Sequence, residues 1–440
     1  MAKIYHEIRD PIHVFIKLDN DERKVLNSYP FQRLRYIHQL AMSYLVYPGA
    51  THKRFEHSLG VMELAGRVYD VVTNEVNIHS KVKELIPEIN DKNKVGYWRR
   101  AVRMAALCHD LGHLPFSHAA EKELLPPGWD HERFTIEIIR SEEMKNIWEE
   151  MTPPLRAEDI IKLAVGPKKY KSAKFTDWEA ILSEIIVGDA FGVDRIDYLL
   201  RDSYHAGVAY GKFDHYRLID TIRILPRTTG EERGSVEPVL GVEEGGLHSA
   251  EALLLARYFM YTQVYFHPVR RVYDIHLKDF LIKWLPEGNF TINVEELLKI
   301  TDNEVLAALL EAARIEDHKG HDPARRIVKR EHYRKLYEKN PEDLRINPEA
   351  GRRVFEALRS QYGVEAVRAD TYTAKNSAME FPVLRSDGRI FSSYDLSETI
   401  QRLPIASFDY VFIRPDLVND ADDWLKKNRH EIIKIVSLEG

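Results

Sequence analysis

The apolar residues of this chain recur mostly every three or four positions, the spacing of helices that bury one face. Residues 3–18 differ: they alternate loosely about Asp10-Pro11-Ile12 and predict a short pair of strands. From 20 to 45, Leu26, Phe31, Leu34, Ile37 and Leu40 fall along one side of a predicted helix capped by Asn20 or Asp21. Pro48-Gly49 breaks the pattern, and a second helix runs from Arg54 to about Glu75. A third covers about 97–112, and after the break at 126–128 another opens at Trp129-Asp130-His131, with Asp130 as its cap. A long helical stretch from Trp178 carries Ile181, Ile185, Ile186, Ala190, Val193, Ile196 and Leu199. Residues 222–246, rich in proline and glycine, read as loop with strand pieces. The longest helix starts near Leu247, kinks at Pro268 and continues to Leu285. Helices at 294–313 and 323–338 then give way to strands, a hairpin over Phe381–Ser392 about Asp387-Gly388 and a further strand over Phe408–Ile413. The pattern predicts a mainly α fold with a small α+β C-terminal region, divided into residues 1–290 and 291–440.

One helical stretch, from Ala105 to His118, breaks the separation of apolar from polar. Val102, Ala105, Ala106, Leu107 and Leu111 form its buried stripe, and His109 and Asp110 fall on or beside that stripe. A buried carboxylate is costly unless something positive compensates it. A divalent metal does so economically, since imidazole and carboxylate are ordinary ligands. Gly112 loosens the helix, and Pro115 permits a turn that swings His113 and His118 back towards the same place. His321-Asp322 serves as a control: this second His-Asp pair lies between Gly320 and Pro323 in a charged stretch without apolar periodicity, and reads as a loop.

Composition adds boundaries rather than chemistry. A hydrophobic fraction of 44% and a charged fraction of 30% describe a globular protein. The lone Cys108 excludes an internal disulfide, fits a reducing compartment, and lies on the buried stripe as a core thiol. Met1-Ala2-Lys3 leads straight into a strand-like segment and no apolar run reaches membrane-spanning length, so a cytoplasmic protein without a membrane partner is expected. A net charge of -6 gives no global attraction to polyanions, so phosphate must be bound by local cations.

A mononuclear site needs more ligands than one helix supplies. His57, near the start of a helix that buries Leu59, Met62 and Leu64, and Asp194, amid Val193, Ile196 and Leu199, are similarly misplaced. With His109 and Asp110 they make two imidazoles and two carboxylates, which leaves positions open for water and phosphate on a divalent ion (Mg, Mn, Fe, Co, Ni or Zn). Each has a plainer reading too. A buried histidine is commonly hydrogen-bonded, and Asp194 can pair with Arg195 or Arg201. On spacing alone both readings stand.

The motifs Phe31–Ile37 (FQRLRYI), Tyr47–Ala50 (YPGA), Arg54–Val61 (RFEHSLGV) and Leu107–His113 (LCHDLGH) agree in order, spacing and flanks with one family. The chain resembles the HD-domain deoxynucleoside triphosphate triphosphohydrolases, in particular the catalytic module of their sterile-alpha-motif-and-HD branch. The resemblance continues through Pro115–His118, Asp194–Gly207 and Arg257–His267 and weakens after about residue 290. It implies an HD-domain helical bundle in which His57, His109, Asp110 and Asp194 hold the metal. It further implies that His118 protonates the leaving 5′-oxygen while His113 and His131 line the α-phosphate, roles suited to a group that titrates near neutrality. Arg54, Arg195, Tyr198 and Arg257 match positions that hold the triphosphate, with arginine at 195 where the branch has lysine. Gln39 and Asp202 match groups at the 3′-hydroxyl; Tyr265 matches an aromatic under the sugar, and His267 follows it. Gln32 and Arg35 match a regulatory guanine-nucleotide site, but His6 replaces a lysine there and Asn27 an aspartate, so strict dependence on GTP is not expected.

The activity implied is hydrolysis of a dNTP to deoxynucleoside and tripolyphosphate, nucleotide-regulated, in a homo-oligomer (dimer or tetramer). Its rivals are an HD phosphatase of a nucleotide monophosphate or cyclic nucleotide, and a nucleic-acid-binding HD protein using the basic run Arg325, Arg326, Lys329, Arg330, Arg334, Lys335. Three triphosphate-matching arginines oppose the first. The ligand set and the negative net charge oppose the second, and nucleic acid is not an expected partner.

Overall fold

The Arg54–Val72 helix is apolar round most of its axis, and this places it at the centre of its unit. Leu59, Val61, Met62, Leu64, Ala65 and Val68 are all buried. The computed structural model describes residues 5–117, 121–229, 235–373 and 380–434. These divide into two units: 1–260 with 291–303 and 377–403, and 261–290 with 304–376 and 404–440.

In the first unit the Lys92–Cys108 and Val193–Ala206 helices pack along Arg54–Val72, the Ala157–Val165 helix packs on Lys92–Cys108, and the Asp177–Val187 helix packs on Ala157–Val165. Their starts are satisfied locally: Asp91 accepts from the Asn93 and Lys94 N–H groups, and Thr176 with Glu179 forms a capping box. His6–Asp10 and Val14–Leu18 form an antiparallel hairpin with Asp10 opposite Val14. A four-stranded sheet follows the order Ile222–Thr229, Ser235–Glu243, Pro382–Leu384, Ile390–Ser392, its middle pair parallel with Val242 opposite Val383.

In the second unit the Pro268–Trp284 helix packs on His321–Val328. The strand Ser407–Ile413 lies between Arg334–Glu338 and Val367–Thr373, antiparallel to both. Val354 and Leu358 from the Ala350–Tyr362 helix and Leu425 from Val418–Ile433 join Val367, Val411 and Ile413 in its core. The molecule is mainly helical with a small α+β C-terminal region, as the pattern predicts. No helix among the described residues is long and apolar enough to cross a membrane.

Several element ends differ from expectation. The stretch 20–45 is not one helix: Asn20–Asn27 ends at Ser28, Pro30 starts the short Tyr29–Arg33 helix, and 3-10 turns follow. The third helix spans Lys92–Cys108, so His109 and Asp110 lie just past its last turn. The stretch from Trp178 is two helices, parted between Gly188 and Gly192. The Leu247 helix ends at Met260, and a π-turn over Tyr261–Tyr265 replaces the simple proline kink. In the stretch read as loop with strand pieces, Ile222–Thr229 and Ser235–Glu243 pair as full antiparallel strands. The control pair lies in a helix after all, because Pro323 in a first turn has no hydrogen bond to lose. That helix stops at Val328, and Arg334 and Lys335 belong to a strand, so the basic run is not one helical face.

Candidate metal and active site

Ligand atoms of His57, His109 and Asp110 lie within 4.8 Å of one another, although His57 is some fifty residues before the other two. Asp194, from the first turn of Val193–Ala206, faces the same point: its Oδ1 is 3.0 Å from His57 Nε2 and 3.5 Å from His109 Nε2. Both imidazoles are aimed from behind. His57 Nδ1–H donates to Asp197 Oδ2 at 2.8 Å, and His109 Nδ1–H donates to the Ala106 carbonyl at 2.8 Å. The second acceptor is one of the carbonyls a helix leaves unpaired at its end, so termination at Cys108 fixes the tautomer of His109. Both Nε2 atoms then point into the cluster. His109 Nε2 is buried and makes no hydrogen bond to a described residue.

The charges agree. Burial opposes ionisation of Asp110, but Arg54, His109 and His113 hold its carboxyl well below the usual range. Burial opposes the charge of Asp194 too, and the neighbouring His109 and His57 keep its carboxyl low. Burial works against a proton on His57, yet Asp194 and Asp197 lift its pKa to about 10. The two carboxylates thus demand positive charge at this point, and a divalent cation coordinated by the two imidazoles and two carboxylates fits that demand. Asp194, 34% exposed where the other three are nearly covered, marks the solvent side.

Arg54 and the remaining histidines adjoin the cluster. The buried Arg54 guanidinium donates to Asp110 and, through Nε and Nη2, to Ser117 Oγ at 3.0 and 2.7 Å. His113 Nε2 is 3.1 Å from Asp110 Oδ1, and its ring stacks on His131 at 4.1 Å. Burial and the charges of Arg54 and His131 hold the His113 pKa well down; burial also lowers that of His131, but Glu121 outweighs it and raises the pKa. His131 Nδ1 is 2.8 Å from Glu121 Oε1. Gly112 makes the approach possible: a Cβ there would collide with the His131 carbonyl, and Thr135 Oγ1 bridges Gly112 N–H and the His109 carbonyl. His118 lies outside the described residues.

The sequence patterns of two families match this chain: the HD domain over residues 54–199 and the HD-associated region over 213–411. This chain belongs to the HD-domain family. The matched HD segment holds all four residues of the cluster, and HD domains bind divalent metals. Among its relatives, the chain is 34% identical to an uncharacterized protein of Methanocaldococcus jannaschii over 69% of its own length and 54% of that protein. It is 30% identical to the deoxynucleoside triphosphate triphosphohydrolase SAMHD1 of Gallus gallus over 79% of its own length and 58% of that protein. The chain thus spans little more than half the length of these curated relatives. A crystal structure of a hypothetical protein from Aquifex aeolicus superposes with a TM-score of 0.75 at 33% identity, covering 96% of this chain and all of that one.

Other expected site residues of the HD-domain protein fall in four places. Gln39 and Asp202 flank His52: Gln39 N–H donates to the His52 carbonyl at 3.0 Å, and His52 Nε2 is 2.7 Å from Asp202 Oδ1. Arg195 donates to the Gly188 carbonyl at 3.1 Å, the half-buried Tyr198 is on the same helix, and Arg257 is on Leu247–Met260, which packs on that helix. Tyr265 ends the π-turn and His267 caps Pro268–Trp284, both in the second unit. Gln32 and Arg35 meet each other, Arg35 Nε–H donating to Gln32 Oε1 at 2.9 Å while its guanidinium lies over Phe55. His6 pairs with Asn20 at 3.0 Å, and Asn27 is exposed.

Sequence reasoning passed over two buried acids that hold the site. Asp197 orients His57, and its signal was present, since it lies between Val193 and Leu200 on an apolar helix face. Asp302 accepts from His38 N–H at 2.7 Å, His38 Nδ1 at 2.6 Å and Phe116 N–H at 2.7 Å. It thereby ties down the turn in which Phe116 and Ser117 take left-handed φ of 55° and 57°. We expect Asp302→Ala to leave these donors unsatisfied and to lower stability by about 3 kcal/mol. An unchanged urea midpoint would show that the turn holds without it.

Proposed function

We propose that this HD-domain protein is a metal-dependent phosphohydrolase that cleaves dNTP to deoxynucleoside and tripolyphosphate. The observation that carries the reading is the convergence of His57, His109, Asp110 and Asp194 beside a buried arginine and a stacked histidine pair. Bound by those four residues, a divalent ion supplies Lewis acidity that offsets phosphate charge and lowers the pKa of water. Arg54, Arg195 and Arg257, with Tyr198, hold the triphosphate, where guanidinium forks match phosphate oxygens. His113 and His131 line the α-phosphate. Water oxygen bonds to the α-phosphorus and its proton passes to solvent, the bond from phosphorus to O5′ breaks, and His118 gives its own proton to O5′. Gln39 and Asp202 take the 3′-hydroxyl, Tyr265 packs beneath the sugar with His267 next to it, and Gln32 with Arg35 takes a regulatory nucleotide in a homo-oligomer.

The test is product analysis in H₂¹⁸O with metal-loaded protein and dATP. Tripolyphosphate carrying the label, with unlabelled deoxyadenosine, is expected. Orthophosphate or pyrophosphate as the first product, or turnover of only mono- or cyclic nucleotides, would overturn the reading.

A further inference from the structure

We propose that the turn of the N-terminal hairpin is part of the metal centre, with His13 a positioning residue for His57. The turn joins His6–Asp10 to Val14–Leu18. Asp10 Oδ1 accepts from the Ile12 and His13 N–H groups, both at 2.8 Å, and this fixes where the His13 side chain leaves the turn. His13 Nε2–H then donates to Asp197 Oδ1 at 2.7 Å, across 184 residues of chain. Asp10 Oδ2 accepts from Arg201 Nη1 at 2.8 Å, a second tie between the same two elements.

Asp197 is the pivot. Its Oδ2 accepts from His57 Nδ1 and Arg201 Nε, each at 2.8 Å; its Oδ1 accepts from His13 Nε2 and from Arg201 Nη2 at 2.9 Å. Four donors occupy the four lone-pair sites of a carboxylate, so the group has one orientation and His57 inherits it. The side chains of His13, His57, Asp197 and Arg201 are fully buried, which removes water as a substitute donor. Two carboxylates, Asp10 and Asp197, share one guanidinium, and the remaining negative charge acts on the His57 N–H. A carboxylate so placed makes the opposite nitrogen a better donor to a cation. The other nitrogen of His13 makes no hydrogen bond among the described residues, so the ring's polar contact is with Asp197.

The experiment uses the full chain, stripped with a chelator and titrated with Mn²⁺ by calorimetry, with the unfolding midpoint of each metal-free protein recorded alongside. His13→Phe keeps an aromatic ring and removes the donor; His13→Gln keeps a donor within reach of Asp197. We expect His13→Phe to weaken Mn²⁺ binding about 10- to 100-fold and His13→Gln to recover most of it, although both lower the unfolding midpoint. Wild-type affinity in His13→Phe, or equal losses in both variants, would overturn the proposal. If His13→Phe does not fold, His13→Asn, too short to reach Asp197, takes its place with the same expectations. The inference rests on the metal reading of His57 but not on the substrate. Wild-type protein that bound no Mn²⁺ would overturn both, whereas tight binding indifferent to residue 13 would overturn this one alone.

Discussion

Asp110→Asn is expected to lose bound metal and turnover together, while Asp322→Ala keeps the wild-type level of both. Asp110 supplies one of the two carboxylates at the cluster, and its charge is buried against Arg54, His109 and His113. Substitution by asparagine keeps the volume and leaves Arg54 an acceptor, so the fold survives a change that removes an anionic ligand. Losing that ligand forfeits several kcal/mol of charge stabilisation, on the order of a thousandfold or more in rate. Asp110→Ala is harsher, because an unpaired buried guanidinium adds about 3–5 kcal/mol of destabilisation. Asp322, exposed at the start of its helix in the second unit, has no such surroundings. Metal content after dialysis and the rate of dATP hydrolysis check both variants. Full metal content in Asp110→Asn would remove this residue from the site.

Gly60→Ala is expected to be severely destabilising for a change of one methyl group. A Cβ at residue 60 would collide with Asp197 Oδ1 and lie 2.5 Å from Arg201 Nη2. Neither can retreat, since Asp197 is held by His13 and His57 and Arg201 by Asp10. Either the Asp197–Arg201 pair breaks or the Arg54–Val72 and Val193–Ala206 helices part. Breaking a buried pair costs about 3–5 kcal/mol, a large share of the 5–15 kcal/mol that typically stabilises a protein. Gly96→Ala is the matched control: its added Cβ meets nothing within 4 Å beyond its own stretch of helix backbone, and alanine favours the helix by roughly 0.5–1 kcal/mol. Urea midpoints moving in opposite directions support the geometry. A Gly60→Ala protein with a wild-type midpoint would contradict the close approach.

Burial was legible in the sequence where helix ends were not. Phe31, Leu34 and Ile37 are buried as their spacing predicts, although Pro30 replaces the helix with short turns. His109 and Asp110 are buried beside the stripe for the same reason, although the helix ends at Cys108. Apolar spacing records which way a side chain faces and survives a local change of backbone. The groups that aim His57 and hold the Phe116 turn were not legible, because their partners are remote. His13 meets Asp197 and His38 meets Asp302, 184 and 264 residues apart. Asp197 was the accessible exception, misplaced on an apolar face as Asp194 is three residues before it.

The first unit is discontinuous along the chain, and this governs how the protein can be dissected. A gene fragment ending at residue 290 would omit 291–303 and 377–403. His38 and Phe116 would lose the carboxylate of Asp302. The Ser235–Glu243 strand would lose Pro382–Leu384 and present a bare edge, the kind of surface on which chains associate. Such a fragment would aggregate for reasons unrelated to its chemistry. A minimal version that keeps His57, His109, Asp110 and Asp194 folded calls for excising internal stretches and rejoining the ends, rather than trimming from the C-terminus.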